Sequence, residues 1–124
     1  MADDFIKVLV VEDEPTLRDV AQRVLTLQGF QVRTASNGID ALQTLAQYVP
    51  NVILLDVLMP VMDGREFLRN LDTSKLPETK IIITSNIADQ TIIDEMLRLG
   101  AHDHLLKSAM TPNILVDLVQ KHSV

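Results

Sequence analysis

The chain has 124 residues, the size of one compact domain, and 47% of them are apolar, so composition does not favour disorder. Cysteine is absent, which excludes disulfide scaffolds, thiolate metal sites, iron–sulfur clusters and thiol nucleophiles. The net charge of −6 argues against sequence-independent nucleic-acid binding and against docking on anionic lipid, both of which need a basic face.

Taken in order, short β-rich runs alternate five times with helical periodicities. Ile6–Val11 is apolar apart from Lys7. Leu17, Val20, Ala21, Val24 and Leu25 then mark one face of a helix, with Pro15 at its start and Gly29 at its end. Phe30–Ala35 is a shorter strand. Asn37 is placed to cap the next helix, with Asp40 in its first turn and Ile39, Leu42, Leu45 and Ala46 on its inner face. Asn51–Asp56 is a third strand, followed by a short helix over about residues 64–71 and a loop at Ser74–Glu78. Lys80–Thr84 is the fourth strand, and Asp89 caps a helix carrying Ile93, Met96 and Leu97 that stops at Gly100. His102–Lys107 is the fifth strand, and Thr111-Pro112 opens a last helix to about Lys121.

Strands apolar on both faces, alternating with helices, imply a parallel sheet covered on both sides. With four aromatic residues in all, Phe5, Phe30, Tyr48 and Phe67, the core is expected to be aliphatic. The longest apolar runs, Val8–Val11 and Val52–Leu55, fall far short of the ~20 residues that cross a membrane. The start, Met1-Ala2-Asp3-Asp4, is acidic where an export signal is basic, so the expected location is the cytoplasm. The expected organisation is a single domain over residues 1–124, core about 6–121, with no output domain.

Ligands of such sheets bind beyond the carboxyl ends of the strands. The first strand ends in Glu12-Asp13-Glu14, the third in Asp56, the fourth in Thr84-Ser85-Asn86 and the fifth in Lys107. Clustered carboxylates are costly unless a cation neutralises them, and a hard divalent cation with oxygen ligands does so. If Asp13 and Asp56 share one ion, the first and third strands are neighbours, giving the order 2-1-3-4-5. Carboxylate, Mg²⁺, hydroxyl and ammonium together suit phosphoryl transfer to a carboxylate. Weighed one by one, an acidic pair after a strand often only caps a helix, and a terminal Thr or Lys is often a satisfied hydroxyl or a solvated charge. Asp56 is harder to dismiss, since it ends a buried apolar run.

Val8-Leu9-Val10-Val11-Glu12-Asp13-Glu14-Pro15 and Leu54-Leu55-Asp56-Val57-Leu58-Met59-Pro60-Val61-Met62-Asp63-Gly64 together resemble the receiver domain of two-component response regulators. Ile81-Ile82-Ile83-Thr84 and Gly100-Ala101-His102-Asp103-His104-Leu105-Leu106-Lys107 resemble its later blocks, in the same order. The resemblance, to a stand-alone, chemotaxis-regulator-like receiver, implies a flavodoxin-like doubly wound α/β fold with five helices. It implies Asp56 as phosphoacceptor, Asp13 as direct Mg²⁺ ligand with Glu12 acting through water, and Leu58 supplying a backbone carbonyl to the metal. Mn²⁺ is a possible substitute. It implies Thr84 as the switch hydroxyl and Lys107 as the lysine that pairs with the phosphoryl group. Gly64 is expected to supply backbone angles that a β-carbon resists.

Three positions depart from the family's pattern: Ser108 replaces the usual proline, Ser85 stands at the small position after Thr84, and His104 replaces the usual aromatic ring at what the resemblance implies is the output-switch position. The first predicts a trans Lys107–Ser108 bond. The expected function is a phosphoacceptor in a phosphorelay, charged by a histidine kinase or phosphotransfer protein. It reports through the face of the fourth helix, fifth strand and fifth helix, without direct nucleic acid or membrane contact, as a monomer. It is expected to be a signalling protein rather than an enzyme. The rivals are an interaction module independent of phosphorylation, and an Asp-nucleophile phosphohydrolase. The latter commonly needs a carboxylate where this chain has Leu58. No P-loop motif is present.

Overall fold

The computed structural model describes residues 5–86 and 88–123. The acidic start at residues 1–4, Ile87 and Val124 lie outside them. Five parallel strands form one sheet in the order β2-β1-β3-β4-β5, the order predicted from shared carboxylates. The elements run β1 (Lys7–Val11), α1 (Pro15–Leu27), β2 (Gln31–Ala35), α2 (Gly38–Leu45), β3 (Val52–Asp56), α3 (Gly64–Asn70), β4 (Lys80–Ser85), α4 (Gln90–Arg98), β5 (Asp103–Leu106) and α5 (Pro112–His122). Short 3-10 turns at Thr73–Lys75 and Lys107–Ala109 occupy the expected loop and the expected end of the fifth strand.

Strand alternation divides the core into two layers. Leu9, Val11, Ile53, Leu55, Ile81 and Ile83 face Ala41, Phe67 and Met96 of α2, α3 and α4. Val8, Val10, Val52, Leu54 and Ile82 face Ala21 and Leu25 of α1 and Leu115 and Val119 of α5. The central strand β3 is buried along its whole length. Each large aliphatic side chain buried there contributes roughly 1.5–3 kcal/mol over leaving it in water.

The helix ends follow the sequence. Pro15 opens α1 and Pro112 opens α5, while Asn37, Asp63, Asp89 and Thr111 cap α2, α3, α4 and α5 with their side chains. Gly29 and Gly100 end α1 and α4 at φ +93° and +121°, which a β-carbon disfavours. The predicted helix faces are narrower than the apolar periodicity suggests. Leu17, Val20, Ile39 and Leu97 are exposed, and so is Ala46 just past α2. In α1, Leu17 and Val20 look across a groove towards the α5 start instead of into the sheet, lining it with Met110 and Pro112. Among the described residues no helix is long and apolar enough to cross a membrane.

Candidate functional site

Register brings the predicted residues to one edge. Val11 pairs with Leu55, Asp56 with Thr84, and Ser85 with Leu106. Glu12 is therefore one step past β1, and Lys107 one step past β5. The Glu12 amide stays on the ladder, donating to the Ala35 carbonyl at 3.0 Å.

Lys107 Nζ lies 2.7 Å from Glu12 Oε1 and 3.2 Å from Asp56 Oδ1, with all three side chains at least nine-tenths buried. Glu12, Asp13 and Asp56 each offer a carboxylate oxygen, and these lie within 4.8 Å of one another. Burial, then the charge of Glu12, pushes Asp56 up to about 7 against the opposing pull of Lys107. Burial alone lowers Lys107, but its hydrogen bond to Glu12 and the charges of Asp56 and Glu12 outweigh this and raise it. The four groups thus form an acidic pit with one internal counter-ion.

The loop carrying the acidic pair is tied from three sides. The Glu14 carboxylate caps α1, accepting from the Thr16 and Leu17 amides at 3.1 and 3.0 Å. Glu12 Oε2 accepts from the Glu14 amide at 3.1 Å. Arg18 Nη1 donates to the Glu12 and Asp13 carbonyls at 3.0 and 3.4 Å. The capping reading of the acidic run therefore holds for Glu14 alone, leaving Asp13 at the pit.

A cavity of about 270 Å³ opens over the pit, lined by Asp13, Asp56, Leu58, Ser85, Asn86 and Lys107 among others. The Leu58 carbonyl accepts no backbone hydrogen bond among the described residues, whereas its neighbour Val57 accepts one from the Gly64 amide at 2.8 Å. An all-oxygen donor set of this kind suits a hard divalent cation.

Two predicted residues do not line this cavity. Thr84 is buried on the other face of β4 from Ser85, beside Val10, Leu54 and Lys107 in the groove between α1 and α5. Ser85 is the hydroxyl that lines the cavity itself, a consequence of strand alternation that Ile82 and Ile83 already signal. His104 is exposed on β5 outside the cavity, its amide donating to Asp103 Oδ1 at 2.8 Å. The Lys107–Ser108 bond is trans, as expected, and the chain turns there through the 3-10 segment.

Gly64 has a different role from the one expected. Its φ is not positive; a β-carbon there would instead lie 2.6 Å from the Asp56 carbonyl and 3.1 Å from Val57 Cα. The positive φ in this loop belongs to Val61, at 70°. Arg18 and Val61 carry no local sequence signal of these roles, since both depend on backbone brought together by the fold.

The family model of the response regulator receiver domain matches residues 8–120. The regulatory protein AtoC of Escherichia coli is 35% identical over 101 residues, covering 82% of this chain and 22% of that protein. The chemotaxis protein CheY of Listeria monocytogenes is 29% identical over 111 residues, covering 89% of this chain and 92% of that protein. Among solved structures, the chemotaxis response regulator CheY4 of Vibrio cholerae superposes with TM-score 0.87 at 30% identity, over 95% of this chain and 98% of that one. The chain spans about half or less of the length of the curated relatives it matches first, 22%, 54% and 45%.

Proposed function

This chain belongs to the response regulator receiver domain family, and we propose that within it Asp56 is the phosphoacceptor of a two-component relay. Receiver domains are signalling domains. The observation that carries the proposal is the contact of Lys107 Nζ with both Asp56 and Glu12 beneath a cavity that Asp13 also lines.

In this reading an Asp56 oxygen attacks the phosphorus of a phosphohistidine on a kinase or phosphotransfer protein. The O–P bond forms as the P–N bond breaks, and the released imidazole takes up a proton. Asp56 must react as carboxylate, so the group that burial holds up near 7 needs positive charge close by. Lys107 supplies one ammonium and is within reach of an oxygen carried on Asp56. Asp13, Glu12, Asp56 and the Leu58 carbonyl would hold Mg²⁺, which supplies neutralisation of phosphoryl charge when bound. Ser85 lines the space the phosphoryl group enters. Thr84, one residue away on the opposite face, is the hydroxyl that turns towards it, altering the α4–β5–α5 face that a downstream protein reads. The side chain two residues after Asp56 is Leu58, which moves no proton, so rapid turnover of phosphate esters is not the expected activity.

The test is incubation with acetyl phosphate and Mg²⁺ followed by intact-mass measurement. A gain of one phosphoryl group, lost in Asp56→Asn, is the expected outcome. No mass gain, with Mg²⁺ present, would favour an interaction module independent of phosphorylation.

A further inference from the structure

Two glycines pin the loop after Asp56. At its far end the Gly64 amide donates to the Val57 carbonyl at 2.8 Å. At its crest the amide of Gly38 donates to the Met62 carbonyl at 2.9 Å. Gly38 is the first residue of α2, so its N–H has no partner within its own helix. It instead reaches across to a loop of another part of the chain. Nothing but glycine fits there: a β-carbon would lie 2.6 Å from Met62 Cγ, 2.8 Å from the Met62 carbonyl oxygen and 2.9 Å from Met62 Cβ. Rotating the Met62 side chain relieves only the first of these.

Between the two pins the loop is bent sharply. The Met62 amide donates to the Pro60 carbonyl at 2.7 Å across Val61, whose φ is 70°. This is the pattern and the φ of the rare, strained γ-turn. Exposed valine does not select such a conformation unaided. The turn presents the Met62 carbonyl to Gly38, and that bond in return holds the turn closed.

We propose that Gly38 is a positioning residue for the phosphoacceptor loop, a role that rests on the reading of Asp56 above. By lacking a side chain it lets α2 hold Met62. That contact fixes residues 58–63, and with them the Leu58 carbonyl, relative to Asp56. The start of α2 thereby acts on a metal site it does not touch.

The test is Mg²⁺ titration of the full chain, wild type against Gly38→Ala, with Gly100→Ala as control. Gly100 has φ +121° but only Thr73 Cγ2, at 3.7 Å, near its missing β-carbon, so its substitution costs stability away from the site. Gly38→Ala is expected to weaken Mg²⁺ binding about tenfold, as loss of an outer support does, while Gly100→Ala leaves it unchanged. A readout on the wild type covers the case in which Gly38→Ala fails to fold. The Gly38 amide should exchange slowly for a first helical residue, and more slowly with Mg²⁺ and beryllofluoride. Wild-type Mg²⁺ affinity in folded Gly38→Ala, or Gly38 exchange indifferent to loading, would overturn the proposal alone. A wild type that neither binds Mg²⁺ nor takes a phosphoryl group would overturn the reading of Asp56 and this role together.

Discussion

His102 and Ile81 bond each other twice: the His102 amide donates to the Ile81 carbonyl at 2.8 Å, and the Ile81 amide donates to His102 Nδ1 at 3.0 Å. The imidazole thus takes the place of a strand carbonyl where β4 begins and β5 has not yet started. Such a ring must be unprotonated at Nδ1. Its pKa is lowered, by burial first and then by the charges of Lys80 and His122.

A base whose folded pKa lies below its unfolded value of about 6.5 contributes stability above that pH and loses it as pH falls. His102→Asn keeps an acceptor at a similar place and cannot titrate. Wild type should therefore lose stability relative to His102→Asn between pH 7 and pH 5, by no more than about 1 kcal/mol, since the bond is only part-buried and water screens the exposed side of the ring. Denaturant midpoints measured at both pH values check this, and a constant difference between the two proteins would contradict it.

Val61 is 77% exposed, so its side chain stabilises little while its backbone is strained. Val61→Asn should raise stability by about 1 kcal/mol, because asparagine tolerates positive φ. Thermal unfolding without metal measures it. A lower midpoint would mean that the Val61 side chain is holding the turn.

Gly64→Ala should destabilise by about 2 kcal/mol, the range of overpacking, since its β-carbon meets the backbone of Asp56 and Val57. Labelling by acetyl phosphate should fall with it, as the displaced atom belongs to the phosphoacceptor itself. Full labelling at ordinary stability would show that the loop yields easily.

What was legible in the sequence was whatever strand order and alternation dictate. Val-Ile-Leu-Leu before Asp56 marks a buried central strand, and the acidic pair, Asp56 and Lys107 fall on one sheet edge once the order is 2-1-3-4-5. What escaped depends on distant backbone. Gly64 looks like a conformational glycine but is a close-approach glycine; Val61 looks like an ordinary loop valine. His122 and Asp103, joined at 2.9 Å between the end of α5 and β5, lie far apart in sequence with no pattern linking them. Leu17 and Val20 keep helical spacing yet line a groove, because periodicity gives a helix face without saying how far its neighbour reaches.

Asp13 and Glu12 should differ in their hold on Mg²⁺. Glu12 is already engaged by Lys107 at 2.7 Å and by the Glu14 amide at 3.1 Å, whereas Asp13 is the more exposed of the pair. Asp13→Asn should weaken Mg²⁺ binding roughly 10–100-fold, and Glu12→Gln less. Equal losses by titration would refute the ranking.

Asp56 sets a pH dependence opposite in sign to that of His102. Its pKa is raised from an ordinary 3.8 to about 7, chiefly by burial and then by Glu12. The folded state therefore binds the proton more tightly than the unfolded state between those values. Its contribution to stability is full below pH 3.8 and is lost as pH rises through about 7. Removing the charge should recover it. Without metal, Asp56→Asn should be more stable than wild type at pH 8, by on the order of 2 kcal/mol as for relief of a buried charge, and the gap should close towards pH 5. Mg²⁺ should act in the same direction, since a ligand that binds only the folded carboxylate stabilises by mass action. Its addition should raise the wild-type midpoint more at pH 8 than at pH 6, where protons compete for Asp56, and should do little for Asp56→Asn. Thermal scans of both proteins at three pH values, with and without Mg²⁺, decide it. A gap between wild type and Asp56→Asn that stays constant from pH 5 to pH 8 would mean that Lys107 holds Asp56 ionised throughout, and that the pit is neutralised from within.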